Sequence, residues 1–96
     1  MNDIDLRRPV HHSSTASRVF GSDAVVISPA ENMVRMLNPV GSRIWQLANG
    51  TNSLEDIAVI LTQEFEVELP HARQSVAGFV EDLVERDLLE WSESRA

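Results

Sequence analysis

The sequence predicts an α+β domain in which a three-stranded antiparallel sheet is followed by three helices. Three observations predict it. Residues 18–37 alternate short β-branched runs with turn residues. Leu37-Asn38-Pro39 then changes from strand to helix chemistry within one tripeptide. From Pro39 to Arg86, apolar residues recur at helical spacing in three separate stretches. The chain has 96 residues, 43% of them hydrophobic. That suffices for one small core and therefore one domain.

Residues 1–16 are polar and aperiodic and are expected to form a flexible tail. Order is expected to begin near Ser17. Arg18-Val19-Phe20 reads as a short strand and Gly21-Ser22-Asp23 as a turn. Ala24-Val25-Val26-Ile27-Ser28 is β-branched and short, hence a strand. Pro29-Ala30-Glu31-Asn32 makes a loop, and Met33-Val34-Arg35-Met36-Leu37 returns as the second arm of the hairpin.

Asn38 can cap a helix, because its side-chain oxygen accepts an orphan backbone N–H. Pro39 fits the first helical position, where no N–H is needed. The first helix is expected over Pro39–Asn49, with Val40, Ile44, Leu47 and Ala48 on its apolar side, Trp45 beside them and Gly50 as the stop. Ser53 with Asp56 forms a near-match to a capping box. It opens a second helix that ends near Glu64, with Leu54, Ile57, Ala58, Leu61 and Phe65 facing inward. The third helix is expected over Pro70–Arg86, with a stripe of Ala72, Val76, Phe79, Val80, Leu83 and Val84. Leu88-Leu89-Glu90-Trp91 follows as an extended or frayed end, and residues 92–96 as a short tail. Strands this short cannot bury a face alone, so the helices must cover the sheet. The second and third helices then resemble a winged helix-turn-helix, with the hairpin as the wing.

Composition excludes several functions. There is no cysteine, which removes a disulfide framework, a thiolate metal site and a cysteine nucleophile, and suits a cytoplasmic location. Net charge is −7, all eight positive charges are arginines, and the acids concentrate late. Such a surface has no general attraction for nucleic acid. Residues 1–30 lack the apolar core of a signal peptide, and no membrane span is expected. His11-His12 lacks supporting carboxylates, so no metal site is assigned. His71 reads as a solvated residue and no catalytic set is assigned; Glu81, Asp82 and Glu85 read as a solvated helix face. Gly50-Thr51-Asn52-Ser53 lacks the spacing and lysine of a phosphate-binding loop. No cofactor is expected.

Two features favour binding. Met33–Leu37 is expected at a sheet edge, where unpaired N–H and C=O groups can accept another strand. Arg35 within it either guards that edge or meets a ligand. The helix-three stripe is also wide: the core accounts for Val76, Phe79, Leu83 and Val80, and Ala72, Arg73 and Ala77 are left at the N-terminal end. A groove there suits an extended peptide with an apolar anchor and an acid near Arg73 or Arg35. An exposed edge also permits a homodimer paired through Met33–Leu37.

The run Leu37-Asn38-Pro39-x-Gly41-x-x-Ile44-Trp45, then Gly50, then the capped helix with Leu54-x-x-Ile57-Ala58, then Val76-x-x-Phe79-Val80-x-x-Leu83, is similar to the PqqD-like family. That is the pyrroloquinoline quinone biosynthesis protein D family, whose domain is also called the RiPP precursor peptide recognition element. The likeness spans residues 17–91, and its Leu-Asn-Pro form is more like that of the generic or lasso-pathway members. It implies a non-catalytic peptide chaperone. The leader of a ribosomally made precursor would add beside Met33, Val34, Arg35, Met36 and Leu37 and pack on Ala72, Arg73, Val76, Ala77 and Val80. It also implies a stand-alone element that presents the precursor to a modifying enzyme, such as a radical S-adenosylmethionine protein, a cyclase or a leader peptidase. Two alternatives are a winged-helix DNA-binding regulator, which the acidic third helix opposes, and a regulatory subunit of an enzyme without a peptide substrate.

Overall fold

The computed structural model describes residues 5–28 and 32–92. In chain order the elements are β1 (Pro9–His11), β2 (Ala16–Phe20), β3 (Asp23–Ser28), β4 (Met33–Leu37), α1 (Pro39–Leu47), α2 (Leu54–Glu64), α3 (Leu69–Glu85) and β5 (Leu89–Trp91). The expected three-stranded sheet is β2-β3-β4, antiparallel throughout, with β3 in the centre. Residues 29–31 of the expected hairpin loop and residues 93–96 of the expected C-terminal tail lie outside the described residues.

Alternation along β3 sets the two faces of the sheet. Ala24, Val26 and Ser28 are buried, whereas Ile27 is exposed. Their β4 partners Leu37, Arg35 and Met33 share the inner face, and Val34 and Met36 share the outer one. The core gathers Val26 from the sheet, Ile44 and Trp45 from α1, Ile57 and Leu61 from α2, and Ala72, Val76, Val80 and Leu83 from α3.

The helix starts form as their sequences dictate. Asn38 Oδ1 accepts the Gly41 N–H at 2.7 Å, and Pro39 opens α1. The buried Ser42 hydroxyl donates back to the Leu37 carbonyl at 3.1 Å, fixing the strand-to-helix corner. Ser53 and Asp56 complete a reciprocal capping box at 3.1 and 2.9 Å. At the end of α3, Leu88 N–H donates to Leu83 O and Asp87 N–H to Val84 O, with Asp87 at φ 59°. This is a Schellman ending in which an aspartate takes the left-handed position.

The expectation of a structureless tail over residues 1–16 is corrected for Asp5–Thr15. This segment is a strap that contacts all three helices. β1 pairs antiparallel with β5 (Pro9↔Trp91, His11↔Leu89), so that of the two forms expected for the chain after α3, extended or frayed, it takes the extended one. Backbone groups of the strap close the helix ends. Asp5 O and Arg7 O accept the Glu55 and Leu54 N–H groups, at 3.0 and 2.9 Å, at the start of α2. Pro9 O accepts Gly50 N–H at 2.9 Å, with Gly50 at φ +88°. Pro9 is fully buried. The His11 ring stacks on Trp45 with centroids 3.9 Å apart, and its Nε2–H donates to the Trp45 carbonyl at 2.7 Å. Arg7 lies 4.2 Å over the Trp91 ring and pairs with Asp5 and Glu81. The adjacent guanidinium holds the Asp5 carboxyl below the usual carboxylate range.

If the strap completes the core, His11→Ala destabilises the chain by roughly 1–3 kcal/mol, the sum of a ring stack and a carbonyl hydrogen bond. Urea denaturation reads this as a lower midpoint at unchanged slope. His11→Phe, which keeps a ring but loses the donor, should fall between. An unchanged midpoint for His11→Ala would show that the strap is not held there.

Candidate functional site

β4 is an end strand of its sheet, so one of its backbone edges is unpaired among the described residues. It is also apolar and open: Val34 is 64% exposed and Met36 72%. Beside its C-terminal end lies a cavity of about 280 Å³, walled by Met36 and Leu37 on one side and Ser75 and Phe79 on the other. Gly41 and Ile44 of α1 contribute to its floor.

One close approach sets the position of the α3 wall. A Cβ on Gly41 would stand 3.0 Å from Phe79 Cε1 and 3.2 Å from the capping Asn38 Oδ1. Gly41 is thus the residue that lets the Phe79 ring rest directly on the α1 backbone. The ring packs on the core from its edge and remains half-buried.

The structure sorts the expected site residues into distinct places. Met33, Val34, Arg35, Met36 and Leu37 do form the edge strand. Ala72, Val76 and Val80 are 0% exposed and belong to the core, and none of them lines the trough beside β4, which corrects their assignment to that groove. Arg73 and Ala77 face away from β4. They line a separate crevice with Asp5, Leu54 and Glu55, and Arg73 donates twice to the Glu55 carboxylate at 2.9 Å. The helix residues that do meet the groove, Ser75 and Phe79, sit one helical step to the other side of the Ala72-Val76-Val80 line. Sequence reading placed Phe79 in the core and missed Ser75. The signal available was Gly41 itself, a glycine inside a helix, which calls for a close neighbour.

Charges frame the site. Arg35 is half-buried on the inner face opposite Val26, and its Nε is buried without a hydrogen-bond partner among the described residues. Arg43 clamps α1 to the end of α2 through a two-point contact with Glu64 at 2.7 and 2.8 Å, and it holds that carboxyl below its usual range. Glu81, Asp82 and Glu85 lie exposed on α3, as expected of a solvated face. His71 is exposed as well, and His12 Nδ1 accepts the Ser14 N–H at 3.1 Å. Among the described residues, no cluster of three His, Cys, Asp or Glu residues could hold a metal ion, and no helix is long and apolar enough to cross a membrane.

β4 thus sets an edge unpaired among the described residues beside a largely apolar trough. The model of the family described as Coenzyme PQQ synthesis protein D matches residues 23–89, and the chain belongs to this PqqD family. Its fold is similar to that of TbiB1 in complex with the TbiA(beta) leader peptide, at a TM-score of 0.77 and 24% identity, covering 91% of this chain and 98% of that one. It is also similar to lasso peptide synthetase B1 complexed with the leader peptide, at a TM-score of 0.76 and 23% identity, covering 85% of this chain and 96% of that one. None of the curated proteins compared with the chain matches it.

The seat of Phe79 predicts opposite outcomes for two helix glycines. Gly78 is exposed on α3, with nothing within 4 Å of an added Cβ, so Gly78→Ala should gain roughly 0.5–1 kcal/mol from helix propensity. Gly41→Ala meets Phe79 and should be neutral or up to ~2 kcal/mol less stable, because overpacking offsets the same gain. Thermal and urea denaturation compare the pair. Equal stabilisation by both would mean that the ring is not constrained by residue 41.

Proposed function

We propose that this chain binds the leader segment of a ribosomally synthesised precursor peptide as an added strand on β4 and presents the precursor to a modifying enzyme. The observation that carries the reading is the unpaired edge of β4 beside the trough walled by Phe79 and Ser75. Strand addition takes its affinity from main-chain hydrogen bonds and its specificity from pockets for alternate side chains. Both components are at hand here: an edge unpaired among the described residues, and an apolar wall facing it. Membership of the PqqD family supports the reading, and so does the likeness to two proteins solved with leader peptides.

Arg35 is the proposed contact for an acidic side chain of the leader, since Arg73 faces the opposite crevice and already holds Glu55. The modifying enzyme is proposed from the family resemblance, as a radical S-adenosylmethionine protein, a cyclase or a leader peptidase. The cytoplasm is the proposed location, which suits a chain without cysteine. A DNA-binding reading gains no support from α3, where Glu81, Asp82 and Glu85 would confront phosphates.

A two-dimensional amide NMR titration with the leader of the precursor encoded beside this chain tests the proposal. We expect saturable shifts in the micromolar range at Met33–Leu37, Ser75 and Phe79. The amides of Arg73 and Ala77 should move less. An unchanged spectrum at millimolar leader, or shifts confined to the Arg73 crevice, would overturn it.

A further inference from the structure

The trough beside β4 does not stop where the strand stops. Val40 and Ser75 also line a second, larger cavity of about 390 Å³. It is enclosed by the start of α1, the end of α2 and the α2–α3 turn. Leu61 and Ala72, both core residues, form its floor. Phe65 and Val67, both half-buried, form its outer wall. The volume falls within the range of about 300–1,000 Å³ typical of built ligand pockets, and it exceeds what an ordinary packing fault leaves. Glu66 and His71 are the titratable residues of its lining, and the carboxylate of Glu68 follows Glu66 in the same turn. Both carboxylates are exposed and enter no ion pair among the described residues, whereas Glu55, Glu64 and Glu81 are each paired with an arginine.

We propose that this second cavity is an anchor pocket for a bulky apolar side chain of the same peptide, set next to a basic residue that meets Glu66. The inference rests on strand addition at β4 and extends it. A peptide lying along β4 leaves the strand at its Leu37 end. There it passes over Val40 and Ser75, the residues common to both cavities. Its next residues arrive at an apolar pocket with the Glu66 carboxylate at its mouth. An aromatic or branched aliphatic side chain covers Phe65, Val67 and Leu61. An adjacent lysine or arginine answers a surface whose net charge is −7. The recognised peptide therefore carries two parts, a stretch that pairs with β4 and an apolar-plus-basic anchor just beyond it.

A random-peptide display library panned against the full chain tests this. The tightest selected peptide is then titrated by amide NMR and calorimetry into the wild type, Val67→Asp and Glu66→Arg. Glu66 is exposed, so its reversal leaves the fold in place even if Val67→Asp does not. We expect shifts at Phe65–Val67 together with Met33–Leu37, and an apolar-plus-basic pair among the selected sequences. Each variant that remains folded should bind about tenfold more weakly while the β4 shifts persist. Peptides that shift β4 alone and bind Glu66→Arg as tightly as wild type would overturn the anchor pocket and leave strand addition standing. Peptides that shift neither region, or a selection without any saturable binder, would overturn both. Binding confined to Phe65–Val67, without β4, would overturn the continuity on which the proposal depends.

Discussion

The seat of the Phe79 ring on Gly41 is the contact on which the rest of the site depends. A Cβ at residue 41 would stand 3.0 Å from the Phe79 ring, so the glycine lets this ring from α3 rest on the α1 backbone without displacement. The same first turn of α1 is fixed by Asn38 and Pro39 directly after β4, and Ser42 ties it back to Leu37. Strand edge, helix start and α3 are therefore located relative to one another by a few neighbouring residues. The separation between β4 and α3 follows from this corner. A trough remains there because Phe79 turns its ring toward Gly41 and does not fill the space beside Met36.

The strap answers a different need. A domain of this size buries a limited fraction of its surface, and its stability margin is small. Asp5–His12 adds a buried proline, a ring stack on Trp45 and backbone acceptors for the first N–H groups of α2. It also gives β5 a partner and so anchors the chain after α3. These contacts lie away from β4 and leave its edge untouched. The arrangement separates the strap that stabilises the fold from the open side of β4.

Much of this was legible in the sequence, and the reasons differ from place to place. Asn38-Pro39 and Ser53 with Asp56 mark their helix starts through local chemistry that acts within one turn, so they could be read directly. The hairpin and the three helices follow from period and turn residues. The strap could not be read, because it has no periodicity. Its stability comes from backbone carbonyls and from His11 meeting a tryptophan far along the chain. The helix side of the groove was misassigned for a related reason. The Ala72-Val76-Val80 line looked partly surplus, yet it is the centre of the core face. Small residues there let α3 sit close to its neighbours, and the flanking Ser75 and Phe79 become the wall. Arg73 looked free because its partner Glu55 lies on another helix. Distances between elements decide these points, and periodicity carries no information about them.

Residue-resolved hydrogen exchange tests the central claim most directly, with the chain free and then saturated with leader peptide. The account predicts that amides of β4 facing the open edge exchange rapidly in the free chain and become strongly protected in the complex. Those of β4 already bonded to β3 should change little. Uniform exchange of the β4 amides in both states, with protection appearing elsewhere, would contradict strand addition at this edge.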